Sequence, residues 1–296
     1  MDGMPRSTSP SANAVRYKQN TAASNEQDIG NLSNQERTVI RGADDEDETM
    51  TDEQDIYELP CPRVNCPEKI IFCMDLSAEM NNMTFRSRAG DKCCALNLVK
   101  RAMTIFMQSK LRLDHNHEFA LVILQDGAIW THDFTRHPKE IINSLDDQNG
   151  CTESEAFDLS AIFQTVKDHV VLPVVTGDQS ILPPPYIVRV ILIYGRSFCC
   201  PYFTERESEK LLESSPYFFI DALYVHEPVS GENRCEEIFN TLCDLDVKDL
   251  SYIFDTSRNQ TKIYDYMAQL LAHPLQRPQQ KDAFYKIEVS LQEEPR

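Results

Sequence analysis

The stretch KIIFCMDLSAE, residues 69–79, decides the fold of this chain. Its apolar run 70–74 is followed directly by Asp75, Leu76 and Ser77. A continuous apolar run of this length is typical of a strand that is buried on both faces of a parallel sheet. The polar residues after it predict a turn at the carboxyl end of the strand, which is where open α/β sheets bind their ligands.

Helix and strand patterns alternate after this first strand. Apolar residues at helical spacing predict helices, and continuous apolar runs predict further strands. The helices are expected at 89–110, 138–145, 154–171, 234–245 and 262–272, and the strands at 118–125, 128–130, 187–194, 217–225 and 252–254. Strands alternating with helices predict an α/β domain with a doubly wound, mostly parallel sheet, which we place at residues 62–273.

Residues 1–61 follow neither pattern. They are rich in small polar residues, and the stretch 44–58 carries nine carboxylates and no Lys or Arg. So few apolar groups do not offset the entropy lost on ordering, so we predict a disordered, acidic N-terminal region. The acidic stretch is interpreted as a solvated linker, with a docking strip for a basic partner as the alternative. The net charge of −18 argues against direct binding of nucleic acid.

The cysteines and the hydropathy pattern bear on the compartment. The chain has ten cysteines but no Cys-x-x-Cys pair and no N-terminal apolar signal segment, which favours reduced thiols. The spacing of Cys61, Cys66 and Cys73 matches no common structural zinc site. No stretch reaches the roughly 18 apolar residues of a membrane helix. We therefore predict a protein of the cytoplasm and nucleus that contacts no membrane.

The end of the first strand resembles a metal site. Asp75, Ser77 and Glu79 resemble the Asp-x-Ser-x-Ser motif with which von Willebrand A domains bind Mg²⁺, and Thr152 matches a further ligand of that family. The family's Asp after the fourth core strand is replaced here, and Arg196 lies nearby. Mg²⁺ requires oxygen ligands in octahedral geometry. We therefore expect Asp75, Ser77 and Thr152 to be remnants of a degenerate site that bond loop amides, with a metal-dependent ligand-binding module as the alternative.

Catalytic motifs are missing from the sequence. It contains no Gly-x-Ser-x-Gly elbow, no Gly-rich phosphate loop and no His-Glu-x-x-His helix. His115 and His117 lie in a polar connector and are expected to be exposed. Cys151 has no evident base beside it. These observations predict a protein that is not an enzyme and holds no cofactor.

Four longer blocks resemble one family. They are PRVNCPEKIIFCMDLSAEM (62–80), HEFALVILQD (117–126), PPPYIVRVILIYGR (183–196) and LLAHPLQRP (270–278). They resemble the BRISC and BRCA-one-A complex member family, also called the MERIT-forty family. The resemblance implies a von Willebrand A-like, non-catalytic scaffold in deubiquitinase complexes. Those complexes are specific for lysine-sixty-three-linked ubiquitin and act in the DNA-damage response and in mitosis.

The resemblance also implies a binding segment in the C-terminal tail, residues 274–296. In the family this tail docks on the ubiquitin-E2-variant domains of the BRE (BRCC-forty-five) subunit, in complexes that also contain the deubiquitinase and an Abraxas-type scaffold. The matching residues here are Pro274, Leu275, Gln276, Arg277 and Pro278.

The physical chemistry of this segment suits such a role. Its two prolines stiffen an extended segment, while Leu275 offers an apolar anchor and Arg277 a forked donor. From the residues alone, an ordinary proline stop after a helix remains an alternative. The stretch 283–289 is interpreted as a strand that adds to the sheet of a partner.

Overall fold

The computed structural model of the chain describes residues 61–86, 90–148 and 156–283. The acidic region up to residue 60, Cys151, Thr152 and the tail from residue 284 therefore lie outside the described residues, and the predictions made for them stay predictions. Cys61, which we assigned to the N-terminal region, is buried against the domain. No helix within the described ranges is long and apolar enough to cross a membrane.

Six strands form one central sheet in the order β6-β5-β4-β1-β2-β3. All neighbouring strands are parallel except β2 and β3, so one edge strand is antiparallel. Counted from that edge, the order 3-2-1-4-5-6 is that of a doubly wound fold and reverses between β1 and β4. The predicted fold class is therefore confirmed. The strands are β1 (Glu68–Asp75), β2 (Glu118–Leu124), β3 (Ala128–Thr135), β4 (Ile187–Tyr194), β5 (Phe218–His226) and β6 (Ile253–Ser257).

Helices cover both faces of this sheet. One apolar cluster joins the sheet to α1, α2 and α6, and a second joins its other face to α3, α4 and α5. Because β1, β4 and β5 are buried on both faces, they read as continuous apolar runs in the sequence. The helices are α1 (Ala95–Leu113), α2 (Pro138–Asp146), α3 (Ser160–His169), α4 (Glu207–Glu213), α5 (Cys235–Cys243) and α6 (Gln260–Gln269).

Several predicted boundaries were wrong. The helix α1 begins six residues later than the predicted start at residue 89, because Lys92–Cys93 pairs with Phe85–Arg86 in a short ladder before it. The helix α3 begins late for a similar reason, since Phe157–Asp158 pairs with Pro201–Tyr202. The seven-residue helix α4 was not predicted, because two turns are too short to show a clear period.

The parallel arrangement gives the sheet two distinct ends. We call the end where the parallel strands begin, near Glu68 and Ile187, the amino edge, and the end where they finish, near Asp75 and Tyr194, the carboxyl edge. Each edge holds a cluster of buried charged side chains. The two clusters are the candidate functional sites.

Candidate functional site

At the carboxyl edge, Asp75 forms a buried ion pair with Arg196. Asp75 ends β1, and Arg196 follows β4, the neighbouring parallel strand, by two residues. Both Nε and Nη2 of Arg196 lie 3.2 Å from Oδ1 of Asp75. The side chains are 0% and 1% exposed, so the pair is isolated from solvent. A protein cation thus lies directly beside Asp75, the first residue of the motif that resembles a metal site.

The remaining polar atoms of this pair also have protein partners. Arg196 donates from Nη2 to the Gln125 carbonyl at 2.6 Å and from Nη1 to the Ala156 carbonyl at 3.3 Å. Oδ2 of Asp75 accepts from the Gly195 amide at 3.0 Å and from the Ser77 hydroxyl at 3.1 Å. Buried polar groups need such partners, and here the loops around the strand ends supply them.

The electrostatics of the pair follow from its burial. Burial raises the pKa of the Asp75 carboxyl, and Arg196 together with the hydrogen bonds from Gly195 and Ser77 brings it part of the way back. Burial opposes the charge on Arg196 as well, but Asp75 raises the pKa of the guanidinium above its usual value. We therefore treat the pair as ionised, with each charge stabilised chiefly by the other.

Glu79, at the third position of the motif, bonds a different group. The carboxylate of Glu79 accepts the Ser197 amide at 3.0 and 2.9 Å, so it braces the loop after β4. Gly195, in that loop, has no room for a side chain, because an added Cβ would overlap Met80. Thr152 lies outside the described residues, and no group of three or more His, Cys, Asp or Glu within the described ranges is arranged to hold a metal. The residues that the structure describes at this edge do not fit a Mg²⁺ site.

At the amino edge, five charged side chains form a buried network that the sequence reasoning missed. Glu68, at the start of β1, pairs with Lys110 of α1 and with Arg189 of β4, whose Nη1 lies 3.1 Å from Oε2. Arg189 Nε donates to Asp221 of β5 at 2.7 Å. Arg277 donates to the same Asp221 carboxylate from both terminal nitrogens, at 3.1 and 2.5 Å. All five side chains are at most 1% exposed, so the network is internal.

This network contains three cations and two carboxylates, and the pKa values reflect the imbalance. Burial alone would raise the pKa of Glu68, but Lys110 and Arg189 lower it to about 2. Burial lowers the pKa of Lys110 to about 8, because Glu68 compensates it only in part and Arg189 lies close. The excess positive charge is therefore unfavourable for the stability of the folded chain.

Two buried histidines lie beside this network, each with Nε2 at 4.0 Å from Oε1 of Glu68. His117 is 1% exposed and its Nδ1 accepts the Glu68 amide at 2.9 Å, so the prediction of an exposed histidine is wrong for His117. His115 has an 86% exposed side chain, as predicted. The Nδ1 of His273 accepts the Leu275 amide at 3.2 Å, and burial lowers the pKa of His273 to about 4. Both imidazoles are therefore held neutral beside the buried cations.

The structure places the predicted binding segment against the chain's own domain. Leu275 is 1% exposed and packs with Cys61, Ile187 and Phe219. The segment turns rather than extends, since the amides of Gln276 and Arg277 both donate to the His273 carbonyl at 2.9 Å. We predicted that Leu275 and Arg277 contact a partner, whereas the fold buries both side chains within the domain.

The side chains that the segment exposes to solvent are different ones. Gln276 and Pro278 are exposed, while Pro274 is buried. The Arg277 guanidinium lies 4.1 Å from the ring centre of Tyr252, and the Tyr252 hydroxyl donates to the Pro278 carbonyl at 2.9 Å. The partner role of residues 274–278 stays a prediction, but only Gln276 and Pro278 present side chains to solvent without a change of structure.

Only faint signals in the sequence pointed to the network. Arg189 is the one charged residue in the apolar run of β4, and Asp221 is likewise alone within FFIDALYV. A charged residue inside a buried strand requires a partner. Arg277, however, lies 56 residues from Asp221, and no local pattern joins them.

The fold is that of a von Willebrand A-like domain, and at its carboxyl edge Asp75 is paired with an internal arginine, Arg196. Solved structures with a similar chain path include the SpRpn10 VWA domain, 13% identical, covering 72% of this chain and 99% of that chain, with a TM-score of 0.46. A von Willebrand factor type A structure from Catenulispora acidiphila is 12% identical, covers 72% of this chain and 43% of that chain, and has a TM-score of 0.41.

Sequence comparison identifies the family. No protein-family model matches the chain. The BRISC and BRCA1-A complex member 1 of Xenopus laevis is 39% identical over 244 residues, which cover 81% of this chain and 73% of the relative. The human protein of the same name is 38% identical over 235 residues, covering 78% and 71%. The chain belongs to the BRISC and BRCA1-A complex member 1 family.

Proposed function

We propose that this chain is a non-catalytic scaffold subunit of BRISC and BRCA1-A type complexes. Its similarity to relatives of that name supports membership. The observation that carries the scaffold role is the buried network at the amino edge, in which Arg277 fixes the predicted binding segment to Asp221. An ordered segment loses less entropy on docking than a free tail, so it suits stable assembly.

The partners proposed are those that the sequence resemblance implies. Residues 274–278 bind the ubiquitin-E2-variant domains of the BRE subunit, and the deubiquitinase and an Abraxas-type scaffold complete the complex. The complex cleaves lysine-sixty-three-linked ubiquitin, in the nucleus during the DNA-damage response and in the cytoplasm during mitosis. The chain itself contributes binding surface and no chemistry.

The carboxyl edge supports the non-catalytic part of the proposal. Ligand sites of doubly wound folds lie at this edge, yet the carboxylate of Asp75 is saturated by Arg196, Gly195 and Ser77. Its Oδ1 accepts from Nε and Nη2 of Arg196 and from the Ser77 amide, and its Oδ2 accepts from the Gly195 amide and the Ser77 hydroxyl, so the roughly four acceptor positions of the carboxylate are filled. The alternative, a metal-dependent von Willebrand A ligand-binding module, is disfavoured by the same contacts. A calorimetric heat for Mg²⁺ that vanishes in Asp75→Ala would restore that alternative.

The test of the proposal uses the outward side chains of the segment. Gln276→Arg combined with Pro278→Ala changes only exposed groups, so the domain stays folded and its thermal unfolding temperature is unchanged. We expect BRE to be lost when the tagged full chain is purified from cells. Gln108→Arg, an exposed substitution on α1, is the matched control and retains BRE.

The result that would overturn the proposal is retention of BRE by the double variant at wild-type level. Leu275→Ala with Arg277→Ala is a poorer test, because both side chains are buried and the substitution unfolds the segment as well. Cleavage of ubiquitin chains by the purified chain alone would contradict the non-catalytic role.

A further inference from the structure

The loop between α3 and β4, residues 170–186, exposes a concentration of large apolar side chains. It lies at the amino edge, because α3 ends there and β4 begins there. Of the thirteen large apolar side chains that are exposed within the described ranges, four belong to this loop, including the two most exposed. Single exposed apolar residues are ordinary on a protein surface, but a group of them marks a binding surface. The four are Val171 (78% exposed), Val174 (80%), Ile181 and Leu182.

The first half of the loop is anchored to the domain by the residues that alternate with the exposed ones. Leu172 packs against the apolar cluster on the α3 face of the sheet, and Pro173 is buried. Further along, Pro184 is buried as well, and the Tyr186 hydroxyl donates to the Val171 carbonyl at 2.8 Å. The loop therefore packs on one side, and its exposed apolar side chains form the other side.

The second half of the loop is a turn with its own hydrogen bonds. Oδ1 of Asp178 accepts the amide and the hydroxyl of Ser180, at 3.0 and 2.6 Å. The Asp178 carbonyl accepts the amides of Ile181 and Leu182, at 3.2 and 3.0 Å. Gly177 has a φ of +126°, and a Cβ there would lie 2.9 Å from Cδ1 of Leu182, so no other residue fits. A loop that is fixed in this way loses little entropy when a partner binds it.

The loop is almost free of charge. Asp178 is its one charged residue, although 26% of the residues of the chain are charged. The carboxylate of Asp178 is used within the turn. The centres of protein interfaces are depleted of charged residues in the same way. The surface that complements this loop is therefore apolar and uncharged.

The loop is continuous with the predicted binding segment. Val175 packs against the apolar cluster that contains Leu275 and Ile187, so loop and segment lie side by side at the amino edge. The segment itself exposes only Gln276 and Pro278. A stable protein interface takes about 800 Å² from each partner, which is far more than two side chains provide. A partner of the segment therefore needs further surface, and the loop is the apolar surface beside it.

We propose that the loop 171–182 is a second contact surface for the partner that binds residues 274–278, and that it takes an apolar, uncharged surface of that partner. The inference rests on the proposed function, in which the partner is BRE. It extends the interface from the C-terminal segment to a loop about 100 residues earlier in the chain.

Titration calorimetry of the purified full-length chain with purified BRE tests the proposal. Val174→Asp combined with Ile181→Asp places two charges against an apolar surface, and we expect it to weaken binding at least about tenfold. Both side chains are exposed, so the thermal unfolding temperature of the isolated chain is unchanged. The matched control is Val229→Asp combined with Ile105→Asp. It changes the same residue types at exposed positions away from the amino edge, and it binds BRE as wild type does.

A second variant separates apolar contact from charge repulsion. Val174→Ser combined with Ile181→Ser removes apolar area without adding charge, and we expect it to weaken binding as well. Wild-type affinity of the serine variant overturns the inference, because the loop then lies near the partner without apolar contact. Wild-type affinity of the aspartate variant overturns it too.

These failures are distinct from a failure of the proposed function. The proposed function stands if Gln276→Arg combined with Pro278→Ala loses BRE while the loop variants keep it. If the wild-type chain does not bind BRE, the proposed function fails and the inference fails with it.

Three further outcomes overturn the inference by assigning the loop to another occupant. A lower unfolding temperature of the isolated aspartate variant means that a segment of the same chain covers the loop. A wild-type chain that is dimeric by light scattering, with a monomeric aspartate variant, means that a second copy covers it. Normal affinity for BRE combined with loss of the complete complex means that a different subunit does.

Discussion

The two edges of the sheet solve the problem of buried charge in different ways. At the carboxyl edge, one carboxylate and one guanidinium bond each other, and main-chain groups of the adjacent loops supply their remaining partners. At the amino edge, Glu68, Asp221 and three cations join strands and a helix to the C-terminal segment. The difference teaches that the pairing of β1 with β4 alone brings the carboxyl-edge charges together, whereas the amino-edge network also depends on the packing of α1 and of the C-terminal segment.

The largest loss of stability is expected when the central carboxylate of the amino edge is removed. Asp221→Ala leaves Arg189 and Arg277 buried without their shared partner, and we expect it to lower the free energy of unfolding by about 3–5 kcal/mol. Chemical denaturation measures this. Asp249→Asn is the control, because Asp249 pairs with Lys281 at the surface and is 62% exposed, so its loss changes stability by under about 1 kcal/mol. Equal effects of the two substitutions would contradict the network.

The carboxyl edge is expected to be less sensitive. Arg196→Ala leaves Asp75 without its cation, but the amide of Gly195 and the hydroxyl of Ser77 still bond the carboxylate. We expect a loss of about 2–4 kcal/mol, measured in the same denaturation experiment. Arg136→Ala removes an exposed partner of Glu118 and costs about 1 kcal/mol or less. A loss at Arg196 that exceeds the loss at Asp221 would reverse our ranking of the two edges.

Lowering the pH is expected to destabilise the amino edge in particular, because its buried histidines are neutral. The pKa of His273 falls from 6.5 to about 4 on folding, so between these values the unfolded chain binds the proton more tightly. Stability from this group is therefore present above pH 6.5 and is lost as the pH falls toward 4. We expect wild type to lose about 2 kcal/mol more than His273→Gln between pH 7 and pH 4.5. Parallel pH profiles of the two proteins would show that His273 is not the titrating group.

The smallest effect is expected at Glu79, the third position of the motif that resembles a metal site. Glu79→Gln keeps the shape of the side chain but replaces a charged acceptor of the Ser197 amide with a neutral one. We expect a loss of about 1 kcal/mol. Glu232→Gln, at an exposed position, is the control and leaves stability unchanged. An unchanged unfolding midpoint for Glu79→Gln would mean that the loop after β4 does not depend on this carboxylate.

The sequence predicted the sheet far better than it predicted the charged clusters. The strand β4 was predicted over its full length because a strand buried on both faces has no polar interruption except Arg189. The end of β1 was identified from Asp75 and Ser77, since a motif of adjacent residues needs no knowledge of the fold. That Arg196 would bond Asp75 directly was not predicted, because the two residues are brought together only when β1 and β4 pair.

The amino edge escaped prediction for the same physical reason, and its network brings together more elements of the fold. Glu68 and Arg189 are 121 residues apart, and their contact depends on strand pairing. The burial of Leu275 and Arg277 in the chain's own domain was not predicted, because a short segment with two prolines looks alike whether it docks on a partner or on its own domain. Burial decides between these cases, and the sequence of five residues does not show whether their side chains are buried.

The bond between Arg277 and Asp221 has a practical consequence for genetics. A nonsense or frameshift change that ends the chain after residue 272 removes not only a candidate contact but also a counter-ion from the interior. Such a truncated product is expected to be cleared by cellular proteolysis before it meets any subunit. Loss-of-assembly phenotypes from C-terminal deletions are therefore to be read alongside the abundance of the product.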